Sequence, residues 1–398
     1  MTKKNRIKNA PSWGDATKLV RGGLERSPHG ETSEAVYLNS GFVYDAPETA
    51  EARFAGEDDG YVYGRYGNPT VSMFEERLAL LEGAEACYGV ASGMAAVYGA
   101  LACTLKAGDH IVASRALFGS CYQIITNILP RFGIAYTLVD GGDMSAWDAA
   151  FTAQTKCVFL ETPSNPTLEI VDVAAIGALA KRHGALFVVD NIFATPILQK
   201  PLKLGADVIV YSGTKHIDGQ GRVLGGAIVS TTEFKEKLLK PFLRHTGPSL
   251  SPFNAWVLLK GLETLKLRVE AQSNAAHTIA QHIEAMKAVS RVIYPHLDSH
   301  PQAALARRQM TLGGTMVTFE VNGGKKVAFD ILRKLRMIDI SNNLGDAKSL
   351  MTHPASTTHR NIGLEARAMM GITEGMLRLS VGLEDVKDLL DDLKQALP

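Results

Sequence analysis

The sequence predicts an α/β protein: a larger domain on a mostly parallel sheet, followed by a smaller C-terminal α/β domain. Two observations carry this. Three short runs, Cys157-Val158-Phe159-Leu160, Ala185-Leu186-Phe187-Val188-Val189 and Asp207-Val208-Ile209-Val210-Tyr211, are almost continuously apolar, with helical segments between them. Strands that are apolar on both faces and alternate with helices belong to parallel sheets covered on both sides. Past Pro248-Ser249-Leu250-Ser251-Pro252, a boundary signal, the pattern changes to one long helix and then scattered short strands. At 398 residues the chain can bury a large core in two domains.

Taken in order, residues 1–65 read as an irregular arm rich in Gly, Pro and polar residues. Its helical periodicity is confined to about Ser33 to Val36, and it is expected to wrap a partner subunit. Residues 66–250 form the larger domain, which alternates helices with buried strands. There Asn68-Pro69 signals a turn, Thr70 can cap a helix running through Phe74 to Leu78, and Ser92 can cap an alanine-rich helix extending to Leu105. Residues 251–398 form the smaller domain. It is expected to hold a helix from Ala255 to about Met286, strands at Val292 to Tyr294, Thr315 to Val321 and Leu377 to Val381, and a helix from Lys326 to Arg336. Thr315 to Val321 alternates as a strand buried on one face would.

Composition narrows the function. With 42 basic and 41 acidic residues interspersed, there is no basic stripe for nucleic acid and no charge run for a membrane surface. No apolar stretch is long enough to span a bilayer, and Met1 to Lys8 is basic but lacks the apolar core of a secretory signal. Cys87, Cys103, Cys121 and Cys157 lack metal-ligand spacing and read as reduced core residues of a cytoplasmic protein. Cys121 lies three residues after Phe118, and a packing role is expected for it as well.

The chemistry concentrates where apolar runs end. Ligands of open parallel sheets bind outside the carboxyl ends of the strands. Asn165, Asp190 and Lys215 all occupy such ends and offer an amide, a carboxylate and an amine. A carboxylate beside a pyridine nitrogen keeps it protonated, and the protonated ring stabilises a carbanion. Lys215 suits a Schiff base with pyridoxal 5'-phosphate, Asp190 the ring nitrogen, and Asn165 the ring hydroxyl. Each also has a plainer role: a solvated turn lysine, a helix N-cap, and a turn residue before Pro166. Ser92 and Gly93 at a helix N-terminus make an anion site, to which Ser212 and Thr214 can add hydroxyls; a simply capped core helix is the alternative. Arg65, among Tyr61, Tyr63 and Tyr66, is either a surface charge or a bidentate phosphate ligand.

In this order the segments Tyr63-Gly64-Arg65-Tyr66-Gly67-Asn68-Pro69-Thr70, Ser92-Gly93-Met94-Ala95-Ala96, Glu161-Thr162-Pro163-Ser164-Asn165-Pro166, Asp190 to Pro196 and Ser212-Gly213-Thr214-Lys215 resemble the Cys/Met-metabolism family of pyridoxal-phosphate enzymes, from about Leu19 to the end of the chain. The resemblance implies the aminotransferase-like fold type I. It implies that Lys215 carries the cofactor, that Asp190 pairs with the ring nitrogen, and that Gly93, Met94, Ser212 and Thr214 bind the phosphate. Tyr63 and Arg65 would serve the neighbouring subunit's phosphate, within a homo-oligomer expected to be a tetramer built as a dimer of dimers. Arg378 would grip the substrate carboxylate, helped by Ser341.

One departure matters. Where the family commonly has a tyrosine that stacks on the cofactor, this chain has Phe118, in Leu117-Phe118-Gly119-Ser120-Cys121. Phe118 can stack but cannot exchange a proton, so more proton transfer falls to Lys215. Together with Ile340-Ser341-Asn342-Asn343-Leu344-Gly345-Asp346-Ala347-Lys348-Ser349-Leu350, this is similar to the O-succinylhomoserine sulfhydrylase branch, whose reaction takes an activated homoserine and sulfide to homocysteine. Cystathionine γ-synthase, a γ-lyase and O-acetylhomoserine sulfhydrylase are the alternatives.

Overall fold

The structure, a computed structural model, describes residues 12–397. The basic segment Met1 to Lys8 lies outside the described residues. Seven strands form the larger sheet: β1 (Ala86–Val90), β2 (His110–Ser114), β3 (Ala135–Val139), β4 (Thr155–Glu161), β5 (Leu186–Asp190), β6 (Val208–Ser212) and β7 (Gly226–Ser230), in the order β1-β7-β6-β5-β4-β2-β3. Strands β3, β2, β4, β5 and β6 run parallel; β7 is antiparallel to both β6 and β1. The parallel strands are apolar throughout because both faces are covered. Phe187, Val188 and Val189 of β5 are each fully buried, and each such side chain contributes roughly 1.5–3 kcal/mol by leaving water.

A second sheet holds β8 (Val289–Ile293), β9 (Met316–Val321), β10 (Asp339–Ile340), β11 (Leu350–Thr352) and β12 (Met376–Ser380), in the order β10-β11-β12-β9-β8. It is antiparallel except for the β10–β11 pair. The helices Gly324–Lys334 and Val386–Ala396 pack their apolar faces on it.

Several expectations need correction. The arm is more ordered than its composition suggests: Asp15–Arg21 and Pro47–Ala55 are helices, whereas 33–36 are not helical. Asn68, not Thr70, caps the helix Pro69–Glu82, since its side chain accepts the Thr70 N–H. The Thr70 hydroxyl is already engaged with the arm, accepting the Tyr37 N–H at 2.9 Å. The long helix after the boundary is two helices, Pro252–Glu263 and Leu265–Glu284, broken at Thr264. Strand β9 is buried on both faces. Its second face meets the 162–170 loop of the larger sheet, where the Thr318 hydroxyl donates to the Pro166 carbonyl at 2.6 Å and Met316 packs with Leu168 and Phe193. The alternation of polar and apolar residues could not reveal a cover supplied from 150 residues away.

Candidate active site

The carboxyl ends of β4, β5 and β6 and the N-terminus of the helix Gly93–Ala102 enclose a cavity of about 230 Å³. Ser92 caps that helix by accepting the Ala95 N–H at 3.1 Å. Two glycines allow the helix end to lie against the sheet. A Cβ on Gly93 would stand 2.6 Å from the Ser212 Cβ, and one on Gly226 would stand 2.1 Å from the Ser92 carbonyl oxygen. The free N–H groups of Gly93 and Met94 and the hydroxyls of Ser212 and Thr214 therefore share one corner of the cavity. It is an anion cradle in its donor set.

Asp190 ends β5 and is 2% exposed. One of its oxygens accepts the Ile192 N–H at 3.1 Å; no other donor among the described residues reaches it. Burial raises its carboxyl above the ordinary range. A buried carboxylate this short of donors suits a charged heterocyclic nitrogen.

Lys215 lies in one widened turn, Gly213–Ile217, where its backbone (φ −92°, ψ −126°) leaves the helical path. Its amine donates to Asn343 Oδ1 at 2.6 Å. Burial, then the Arg378 charge, push it down to about 8, so an appreciable fraction is free base near neutrality.

Arg378 sits within β12 and is 1% exposed. Its guanidinium donates to Asn165 Oδ1 at 2.8 Å and to the carbonyls of Asn342 (3.0 Å) and Asn343 (3.3 Å), while Nε has no partner. All three hydrogen-bond acceptors are neutral, and burial pushes the guanidinium down to about 10, opposed only in part by the Glu161 carboxylate. The free donor fits a substrate carboxylate.

Phe118 lines the cavity, its ring edge to face with His359 at 6.4 Å between centroids. Cys121 also lines it; burial raises its thiol well above the ordinary value, so it stays protonated.

Not every expected residue converges. Neither Ser341 nor Arg378 is part of the cavity wall: the Ser341 hydroxyl accepts the Asn343 N–H at 3.2 Å and shapes the turn that presents Asn342 and Asn343, while Arg378 stands behind the wall, bonded to Asn165 and Asn342. Tyr63 and Arg65 lie elsewhere on the chain. Arg65 packs over the Tyr66 ring at 4.8 Å and donates to the Arg244 carbonyl. Conversely, Asn343 and Glu161 both lie in segments that carry the resemblance but had no role of their own there, although Glu161 ends an apolar strand just as Asp190 does. Glu161 also lines the cavity.

Comparison with known proteins agrees with this geometry. The family described as Cys/Met metabolism PLP-dependent enzyme matches residues 16–398. The chain is 56% identical over 386 residues to O-succinylhomoserine sulfhydrylase of Mycobacterium tuberculosis, covering 96% of this chain and 95% of that protein. It is 47% identical over 381 residues to O-succinylhomoserine sulfhydrylase of Pseudomonas aeruginosa, covering 96% and 94%. A putative O-acetylhomoserine (thiol)-lyase of Campylobacter jejuni, solved with N'-pyridoxyl-lysine-5'-monophosphate, superposes with a TM-score of 0.93 at 33% identity, covering 97% of this chain and 100% of that one. The chain belongs to the Cys/Met-metabolism family of pyridoxal-phosphate-dependent enzymes, with the fold type I architecture.

Proposed function

We propose that this enzyme carries out γ-replacement, converting O-succinylhomoserine and hydrogen sulfide to homocysteine and succinate, and so acts in methionine biosynthesis. One observation carries the reading: a lysine of lowered basicity and a donor-poor buried carboxylate meet at one cavity lined by Phe118, which has no hydroxyl, and an arginine with a free Nε donor is bonded to Asn165 and Asn342 of that wall. The 56% and 47% identities to O-succinylhomoserine sulfhydrylases point to the same substrate.

Pyridoxal phosphate, when bound, supplies an electron sink for negative charge at the substrate's α and β carbons. Asp190 would keep the ring nitrogen protonated. Gly93, Met94, Ser212 and Thr214 would hold the phosphate, Phe118 would stack on the ring, and Asn165 would meet the ring hydroxyl. Arg378 takes the substrate α-carboxylate through its free Nε–H, which fixes the α proton near Lys215. The Lys215 amine removes that proton, and Asn343 holds the amine in place between transfers. After passing that proton on, the Lys215 amine would take one from the β carbon as succinate leaves the γ carbon. Hydrosulfide adds there, and Lys215 returns the protons. With no phenol at position 118, Lys215 is the mobile base of this site.

The assembly reading has its own support. Tyr63 and Arg65 do not line their own cavity, and the arm exposes Leu38 at 69% and Val43 at 93%. We place these groups against a second copy, with Tyr63 and Arg65 on its phosphate, in a dimer of dimers. Residues 1–65, 66–250 and 251–398 then serve as arm, cofactor domain and small domain. The four free cysteines favour a cytoplasmic enzyme.

A product assay tests the reaction: O-succinyl- and O-acetylhomoserine, each with sulfide or cysteine. The highest kcat/KM is expected for the succinyl ester with sulfide; a higher value with cysteine or with the acetyl ester overturns that choice. Mixing Arg65→Ala with Lys215→Ala protein tests the shared site. Regained activity is expected once subunits exchange, and none after proven exchange overturns it.

A further inference from the structure

Glu161 is the one fully buried acid in the cavity wall to which the reaction above assigns nothing. It is 3% exposed and ends β4, in register with Asp190 at the end of the neighbouring parallel strand β5. Its two oxygens do different work. Oε2 accepts the Phe118 N–H at 2.6 Å, and Oε1 accepts the Asn165 N–H at 2.9 Å. Phe118 is the aromatic wall of the cavity. Asn165 carries the amide oxygen that receives Arg378 at 2.8 Å. One carboxyl group thus ties together three pieces that come from separate parts of the chain: the loop before the short helix at 119–123, the loop after β4, and, through Asn165, a strand of the other sheet.

Such a placement has a cost. Burial first, and then the Asp190 charge, raise the Glu161 carboxyl well above its ordinary range; the two N–H donors and Arg378 oppose this only partly. An uncharged or apolar residue here would remove that repulsion. The two backbone donors would then be unsatisfied, and nothing else among their hydrogen bonds would fix where Phe118 and Asn165 sit relative to each other.

We propose that Glu161 is a positioning residue that sets the cofactor's stacking wall and the substrate-carboxylate grip with one side chain, so that ring orientation and substrate affinity are coupled through it. The proposal rests on the site reading above, in which Phe118 stacks on the ring and Arg378 binds the α-carboxylate. Both of the Glu161 carboxylate oxygens are taken by backbone N–H groups, so its effect passes through Phe118 and Asn165.

The test uses Glu161→Gln, Phe118→Leu and the double variant. Each is prepared as apoenzyme and titrated with pyridoxal phosphate, and the bound cofactor is read by circular dichroism. Gln keeps the volume but turns an NH₂ group toward one of the two N–H donors, so one of the two bonds is lost. The expected result for Glu161→Gln is an altered cofactor dichroism and a dissociation constant about tenfold higher, the scale of one stacking contact. KM for the acyl-homoserine should rise more than kcat falls. The double variant should bind the cofactor no more weakly than the worse single variant, because both changes remove the same wall.

A merely structural role would lower the melting temperature of the apoenzyme and leave the dichroism, the affinity and KM at wild-type values; that result overturns the proposal. So does full additivity in the double variant. If Phe118→Leu alone binds the cofactor as wild type does, the stacking assignment fails and the proposal with it. If Phe118→Leu weakens binding while Glu161→Gln does not, the proposal fails alone. Should Glu161→Gln not fold, Glu161→Asp replaces it: one methylene shorter, it can reach only one of the two donors, and the same outcomes apply.

Discussion

The two sheets deliver their chemistry in different ways. The parallel sheet works from strand ends: Glu161, Asp190 and Ser212 are the last residues of β4, β5 and β6, and Lys215 follows three residues later. There the ladder stops and side chains of modest length open onto a shared cavity. The antiparallel sheet works from mid-strand. Arg378 is the third residue of β12, paired with Thr352 on one side and Thr318 on the other, and it acts by reach. Its long side chain crosses to Asn165 of the other sheet and is steadied by the carbonyls of Asn342 and Asn343. Strand ends place a group by topology, whereas a mid-strand group is placed by the contacts it finds at the far end of its side chain. The first kind should be sensitive to the chemistry of the residue, the second to its shape.

The largest expected effect is at a strand end. Lys215→Ala should lower kcat by about 10²–10⁴-fold, the usual worth of a positioned general base, and remove the covalent link to the cofactor. Borohydride reduction followed by peptide mass analysis checks the link; a modified peptide elsewhere in the chain would dismiss Lys215. Asp190→Asn comes next. It keeps the shape and removes the charge, so α-deuterium exchange should slow by roughly a hundredfold, about 2.7 kcal/mol in the barrier, while cofactor affinity changes less. An exchange rate equal to wild type would break the strand-end rule at its central residue.

Arg378→Lys keeps the charge and changes the shape. A lysine cannot span Asn165 and two carbonyls at once. KM for the acyl-homoserine should rise roughly tenfold, about 1.4 kcal/mol, with a smaller change in kcat. Steady-state kinetics with either ester decides this, and an unchanged KM would mean that charge, not reach, is what β12 contributes.

The smallest effect sharpens the comparison with a buried acid of the larger domain that is not at a strand end. Glu82 closes the helix Pro69–Glu82, accepts the Tyr211 hydroxyl and is pushed up to about 7 by burial. Its folded value lies above the unfolded value of 4.5, so its contribution to stability is full below the unfolded value and is lost as pH rises through about 7. Glu82→Gln cannot lose a proton. Its melting temperature should gain on wild type as pH rises from 5 to 8, by about a few degrees, with kcat unchanged. Parallel melting curves for the two proteins across that range would count against a buried, raised Glu82.

Much of this enzyme was legible in its residues. The three apolar runs are β4, β5 and β6, and the polar residues that close them face the cavity, because a strand covered on both faces can be polar only where it ends. Ser92 and Gly93 were legible for a similar reason: capping and close backbone approach demand particular residues locally. The sequence alone therefore determined the fold class and the end of the sheet at which Asp190 and Lys215 line one cavity. It did not determine that Asn68 rather than Thr70 caps its helix, because the Thr70 hydroxyl is taken by the arm. Nor did it reveal that β9 is covered on both faces, or that Asn343 meets Lys215. Nor did it show that Glu161 serves Phe118 and Asn165 together. Each of these is decided by a partner far away in the chain. Local patterns record what a residue requires of its neighbours in sequence; only the packed structure decides which distant donor, acceptor or surface arrives to meet it.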